Sequence, residues 1–393
     1  MRSWHGEIIE LILAPVLHTN TLVAYATDPH RYAMCHPSEI AGSILDTVGN
    51  TPLVRLDRFL DRQDVEVFAK LEMGNPAGSS KDRPALRMLS KALQEGRVQR
   101  GGLVVESSSG NMAIAMAQFC GLHDLRFKCV VDRRTQSTNL QLLGAYGAEI
   151  EFIEDADGLA TSPLTARMRR VAEIVASTPG SYWPNQHANE ENPAAHDHGT
   201  MSEIWTAMGG RVDCLFVPVS TTGTALGCKR FIDRMGSPTR IIAVDAEGSV
   251  IFGGRPGPRP IPGLGASHRP PLVEDSVFDA VERVSPLDCV VGCRRLVRRE
   301  SILAGGSSGG ALQAVRRRAR RLRPTSRVAV VLPDDGSRYL DTVFSDRWVA
   351  GTLGCPPGEL RRLVDAPDGL SPKALLSHNT PPASTKPAWI EVS

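Results

Sequence analysis

The chain has 393 residues, of which 41% are hydrophobic and 22% charged, and it carries a formal net charge of +2. This composition excludes a disordered or fibrous chain, and so small a charge gives no reason to expect a nucleic-acid or membrane partner. Its eight cysteines lack metal-type spacing, Cys289 and Cys293 being the nearest pair, so no metal site is expected and the thiols read as reduced ones in a cytoplasmic protein.

In chain order, residues 1–42 form a leader. Its apolar stretch "IIELILAPVLHTNTLVAYA" ends like a signal-cleavage site, but Glu7 and Glu10 stand where positive charge is needed, and Pro15, His18 and Asn20 interrupt the run. It is too short between interruptions to span a bilayer, and a weakly ordered leader is expected. From Ser43 to Val349, short apolar runs alternate with amphipathic segments. "VEVFAKLE", "LVVE", "RFKCVVD", "AEIEFIE", "CLFVPV", "RIIAVDAEG" and "VAVVLPDD" read as strands. Their near-continuous Val, Ile and Leu content argues for parallel sheets covered on both faces, so the fold class is α/β and ligands are expected at the loops after the strands. The arginine run "VRRRARRLRP" (Val315 to Pro324) reads as a solvated helix face. Residues 351–393, ending "HNTPPASTKPAWIEVS", read as a weakly ordered extension.

The loops carry the chemistry. In "NPAGSSKDRPA", Lys81 can be a surface lysine, the lysine of a nucleotide-binding P-loop, or an amine that forms a Schiff base with a carbonyl cofactor. The P-loop spelling fails, because Ser80 precedes the lysine and Asp82 follows it. After "LVVE" comes "SSSGN" (Ser107 to Asn111), a polar turn at a helix start that suits a carboxylate. After "CLFVPV" comes Ser220, Thr221, Thr222, Gly223 and Thr224, a cluster of N–H and O–H donors that suits a phosphate. In "AGGSSGGAL", Ser307 and Ser308 stand between glycine pairs ahead of another helix. One lysine and three such turns at strand ends describe a dispersed site for a phosphorylated cofactor, and pyridoxal 5'-phosphate fits all of them.

With these motifs in order, the sequence resembles the β-family, or fold-type II, of pyridoxal-phosphate enzymes, which includes cysteine synthase and cystathionine β-synthase. "VGNTPLVRL", "KLEMGNPAGSSKDR", "SSSGN", "QHANEENPAAH", "STTGT", "GGSSG" and "LPDDGSRYLDT" carry the resemblance over roughly three hundred residues. It implies a tryptophan-synthase-β-like fold of two domains, each with a parallel-rich sheet flanked by helices. The large cofactor-binding domain would comprise residues 43–73 and 187–350, and a smaller mobile substrate domain residues 74–186. It also implies roles: Lys81 as covalent anchor, Asn111 at the cofactor ring hydroxyl, the Ser220 to Thr224 turn at the phosphate, and Ser307 at the pyridine nitrogen. Ser108, Ser109, Met112 and Gln186 would receive the substrate carboxylate.

Two spellings depart from plain cysteine synthases: Met112 replaces a usual threonine, and the phosphate turn begins Ser-Thr-Thr. The spellings "VESSSGNMAIA", "RPIPGLGAS" and "YLDTVFSDRWV" resemble the branch of N-(2-amino-2-carboxyethyl)-L-glutamate synthases. That branch implies β-replacement on O-phospho-L-serine through an α-aminoacrylate, with the amino group of L-glutamate as nucleophile, by a homodimer serving 2,3-diaminopropionate biosynthesis. The alternatives are a cysteine or cystathionine β-synthase using sulfide or homocysteine, and a non-catalytic regulatory homologue. A phosphorylated donor needs a cation at its leaving group. Arg255 and Arg259, with Arg133 and Arg134 behind them, are the candidates.

Overall fold

The computed structural model describes residues 40–153, 163–274 and 277–369; most of the expected leader, and the extension from residue 370 onward, lie outside them. The chain opens with β1 (Leu53–Arg55) and β2 (Glu66–Leu71), a turn carrying Lys81, and α1 (Asp82–Gln94). It continues through β3 (Leu103–Ser107), α2 (Asn111–Leu122), β4 (Arg126–Val131), α3 (Ser137–Ala145), β5 (Glu149–Phe152) and α4 (Pro163–Ser177). Then come α5 (Glu191–Ala195), a π-helical turn (His196–Met201), α6 (Ser202–Ala207), β6 (Cys214–Pro218), α7 (Gly223–Arg234), β7 (Arg240–Ala246) and β8 (Ala280–Val284). The last elements are α8 (Pro286–Glu300), α9 (Gly306–Arg318), β9 (Arg327–Leu332), α10 (Asp346–Leu353) and α11 (Pro357–Asp365).

Two sheets result. The larger has the order β1-β2-β9-β6-β7-β8, and only the β1–β2 pairing is antiparallel. The smaller, β3-β4-β5, is wholly parallel. The strand period of two sends alternate residues to opposite faces. In β9, Val328, Val330 and Leu332 enter one core, with α8, α9 and α11, while Ala329 and Val331 enter the other, with α6 and α7. The small sheet is likewise covered twice, by α1 and α2 on the face of Val104 and Val131 and by α4 on the face of Val105 and Val130. Such two-sided burial explains why these strands read as unbroken apolar runs.

A buried ion network holds the segment around Thr51 against α1. Arg83 pairs with Glu72 (2.7 Å) and with Glu203 (2.6 Å), Lys70 pairs with Glu203 (2.5 Å), and the Thr51 hydroxyl donates to Glu72 (2.9 Å). Helices α8 and α9 cross backbone to backbone: a Cβ on Gly309 would lie 2.0 Å from the Cys289 carbonyl oxygen, and one on Gly292 would lie 2.0 Å from that of Gly309.

The C-terminal side departs from expectation. Arg316, inside the arginine run, is 1% exposed; it donates to Asp368 (3.0 Å), Gln313 (2.9 Å) and the Ala366 carbonyl (2.6 Å). Arg295, wholly buried, donates to the Phe59 and Val364 carbonyls and pairs with Asp61 (2.9 Å). The run is therefore no uniformly solvated face, since Arg317 and Arg318 also pair with Asp288 and Glu282. Residues from 351 to 369, expected as extension, are folded onto the core by these contacts. Among the described residues, no helix is long and apolar enough to cross a membrane.

Candidate active site

Among the helices whose N-termini have no side-chain cap are α1 after Lys81, α2 after Gly110, α7 after Thr222 and α9 after Gly305. By contrast, α8 and α10 are capped by Ser285 and Ser345. The first N–H groups of a helix have no partner inside it, and the helix dipole places partial positive charge there. Residues from these four starts line one cavity of about 390 Å³. That convergence follows from the topology, because each helix follows a strand end or a turn beside the end of β9.

The cavity brings together Lys81, Ser108, Ser109, Asn111, Met112, Gln186, Ser220, Thr221, Thr222, Gly223, Thr224, Arg259 and Ser307. Arg134 also reaches it. Arg255 and Arg133 are exposed and do not line it.

The turn before α7 is held in one tight shape. Thr222 holds φ +68, the left-handed region, which turns the chain sharply into the helix. A Cβ on Gly223 would lie 2.1 Å from Asn192 Oδ1, so only glycine fits. Asn192 in turn donates to the Gln186 carbonyl (2.7 Å) and to Thr221 Oγ1 (3.3 Å), tying the expected carboxylate residue to the expected phosphate turn. His196, fully buried in the π-helical turn, lies 2.9 Å from Thr200 Oγ1 and 3.2 Å from Thr224 Oγ1. Burial, with Lys81 and Arg83 nearby, holds its pKa well below the usual range, so the imidazole is neutral.

Around Lys81, burial lowers the pKa of the amine, opposed by the carboxylates of Asp334, Glu72 and Asp82. Burial also pushes up the Asp334 carboxyl, against the Tyr339 hydroxyl (2.5 Å) and Asn111 Nδ2 (2.8 Å) that donate to it. Asp82 is pushed up to about 7 by burial, although the Ala77 amide donates to it at 2.5 Å. Burial thus shifts the lysine and the two acids of the site each toward its neutral form, against the hydrogen bonds and opposite charges that hold them.

Several lining residues escaped the motifs. Arg167, on α4, lines the cavity with Nε and Nη1 free of hydrogen-bond partners, and its nearest acid is Asp132 at 3.5 Å. Nothing in "TARMRRV" separates it from Arg169 and Arg170, which pair at the surface with Glu173 and Glu151. His187, packed edge-on against His268 with ring centroids 4.8 Å apart, is held near 4 by burial and is neutral. Asp334 and Tyr339 lay inside a quoted motif, but only the fold shows that they face the cavity.

Comparison with known proteins agrees with this geometry. The family model described as "Pyridoxal-phosphate dependent enzyme" matches residues 44–334. The chain is 47% identical over 311 residues, 79% of its length and 92% of the relative's, to an N-(2-amino-2-carboxyethyl)-L-glutamate synthase of Ralstonia nicotianae. It is 42% identical, with the same coverage, to a synthase of that name from Cupriavidus metallidurans. Among solved structures, an O-acetylserine-dependent cystathionine β-synthase from Helicobacter pylori superposes with a TM-score of 0.71 at 30% identity, over 77% of this chain and 98% of that one. O-ureido-L-serine synthase superposes with 0.72 at 28% identity, over 86% and 100%. The chain therefore belongs to the family of pyridoxal-phosphate-dependent enzymes.

Proposed function

We propose that this enzyme replaces the phosphate of O-phospho-L-serine by the amino group of L-glutamate, giving N-(2-amino-2-carboxyethyl)-L-glutamate and phosphate for 2,3-diaminopropionate biosynthesis. The residues present fit pyridoxal 5'-phosphate: an amine at Lys81, an uncapped helix start with Thr221, Thr222 and Thr224 for the phosphate, a hydroxyl at Ser307 for the ring nitrogen, and the Asn111 amide for the ring oxygen. When bound, the cofactor withdraws electrons from the substrate Cα, which acidifies the Cα–H and allows a β-substituent to leave.

The chain's own residues supply the rest. The lowered pKa of Lys81 favours the free amine that can accept the Cα proton. The uncapped start of α2, with Ser108, Ser109 and Gln186, supplies donors for the substrate carboxylate, and buried Met112 lines the cavity with them. The observation that carries the choice of donor is the convergence of Arg134, Arg167 and Arg259 on the cavity. Arg167 keeps Nε and Nη1 without a hydrogen-bond partner, and burial works against the charged forms of both Arg167 and Arg259, in keeping with cations that await an anion. A doubly charged leaving group and a dicarboxylate nucleophile would provide it; an acetyl ester and sulfide would not. The names of two synthases similar in sequence support glutamate as the nucleophile.

We infer that residues 74–186, which contain the small sheet with its own core, close over the bound substrate as a unit against residues 43–73 and 187–350. The described cysteines are buried and unbridged, in keeping with a reducing cytoplasm, and a homodimer completes the reading. The test is to supply the holoenzyme with O-phospho-L-serine and a mixture of the twenty amino acids, sulfide and homocysteine, then identify the product by mass. A glutamate adduct with release of phosphate is expected. Consumption of sulfide or homocysteine in place of glutamate would make the enzyme a cysteine or cystathionine synthase.

A further inference from the structure

Arg338 stands on the single helical turn Gly336–Tyr339 that follows β9, and its guanidinium reaches two separate parts of the site. Nη1 donates to Asn111 Oδ1, and Nη2 donates to the Ala77 carbonyl at 2.5 Å. Asn111 Nδ2 donates to Asp334 Oδ2 at 2.8 Å, and the same carboxylate oxygen accepts from the Tyr339 hydroxyl at 2.5 Å. A side-chain amide has one acceptor oxygen and two N–H donors. Here the oxygen faces a cation and one N–H faces a carboxylate, so the flipped amide would set N–H against guanidinium and oxygen against carboxylate. One orientation survives, and one N–H is left to donate.

We propose that Arg338 is a positioning residue that locks the Asn111 amide so that its remaining N–H faces the bound cofactor. The same guanidinium tethers the turn that leads into Lys81. The inference rests on the reading of Asn111 as the contact to the cofactor ring. Two glycines make room for the device. A Cβ on Gly78, which holds φ +84, would lie 2.8 Å from Arg338 Nη2, and one on Gly305 would lie 2.1 Å from Asp334 Oδ1. A hydrogen bond to an ionised partner is among the stronger ones, so a guanidinium and a carboxylate on either side of one amide hold it firmly.

The experiment uses substrate-free holoenzyme: wild type, Asn111→Ala, Arg338→Ala and Arg338→Lys. The readouts are the ratio of the cofactor's ultraviolet and visible absorption bands, which follows protonation of its ring system, and the apparent dissociation constant of the cofactor. Asn111→Ala is expected to shift the band ratio. Arg338→Ala should shift it in the same direction and weaken cofactor binding by about tenfold, the scale of one hydrogen bond to a charged group. Arg338→Lys, which offers one ammonium in place of the fork, should fall between. Thermal unfolding of the cofactor-free variants serves as control, since loss of the Ala77 tether alone lowers the unfolding temperature without touching the band ratio. An Arg338→Ala or Arg338→Lys enzyme with the wild-type ratio and affinity, beside a shifted Asn111→Ala, overturns the role of Arg338. An unshifted Asn111→Ala instead overturns the reading of Asn111 beneath it.

Discussion

The Glu106 carboxyl, at the end of β3, accepts a hydrogen bond from the backbone amide of Gln186 at 3.3 Å. It also accepts from the Trp183 indole at 3.2 Å, so one buried acid ties the substrate-loop strand to the segment carrying the expected carboxylate donor. Burial pushes its pKa up to about 7, against these hydrogen bonds, from the ordinary glutamate value of 4.5. Between those two values the folded chain holds a proton that the unfolded chain has lost. The contribution of this group is therefore complete below about pH 4.5 and disappears as pH rises through about 7, and it is on the order of 3 kcal/mol. Urea denaturation from pH 4.5 to 7.5 should show that Glu106→Gln loses less stability over this range than wild type; parallel curves would refute the assignment.

Glu203 gives the opposite slope. Burial raises its carboxyl, but hydrogen bonds and charges from Arg83 and Lys70 outweigh burial and hold it at about 2. Its contribution is present above about pH 4.5 and is lost as pH falls toward 2. Removing this one acid leaves two buried cations short of a partner, and Glu203→Ala should destabilise the cofactor-free chain by about 3–5 kcal/mol. Chemical denaturation at neutral pH measures the loss, which should shrink in acid.

Lys81→Ala should abolish turnover while leaving the fold intact. The amine is enclosed at an energetic cost, as its lowered pKa records, so its removal relieves burial. The unfolding free energy of the cofactor-free variant is expected at or above that of wild type. Retained product formation would overturn the catalytic role.

The arginines should separate by position. Arg167→Ala and Arg259→Ala should each lower kcat/KM for O-phospho-L-serine by about 10- to 100-fold, the range for a lost hydrogen bond to a charged group. Arg255→Ala, on the exposed side of its loop, should leave it within twofold. Steady-state kinetics on the three variants, with O-acetyl-L-serine for comparison, tests the ranking.

Gly309→Ala places a methyl 2.0 Å from the Cys289 carbonyl and forces α8 and α9 apart. Overpacking against backbone costs about 1–3 kcal/mol or more, and Ser307 rides on the first turn of the displaced helix. Lower thermal stability together with an altered cofactor spectrum is the expected result.

The strands β2, β3, β4, β6, β7 and β9 were legible because each is a short apolar run buried on both faces, and the loops were legible because each follows such a run directly in the sequence. By contrast, β1 is three residues long, and β8 spells Ala-Val-Glu-Arg-Val with charges on a partly open edge; neither carries an unbroken apolar signal. Arg167 and Arg316 were misjudged or missed for a common reason. Their neighbours in sequence are other arginines, and only distant partners, Asp132 and Asp368, reveal which way each points. Asn192, which links Gln186 to Thr221, was likewise quoted within a motif, but its function as a link belongs to the fold.

Asp368 lies beyond the span matched by the family model, yet it is the counter-ion of Arg316 and lies 3.5 Å from Arg295. Its carboxylate also accepts from the Asp61 amide at 2.7 Å, back near the start of the described fold. Cutting the chain after Asp365 would not trim an appendage. It would take from buried Arg316 its counter-ion and from buried Arg295 one of two, so a shortened version meant for expression should run at least to Gly369.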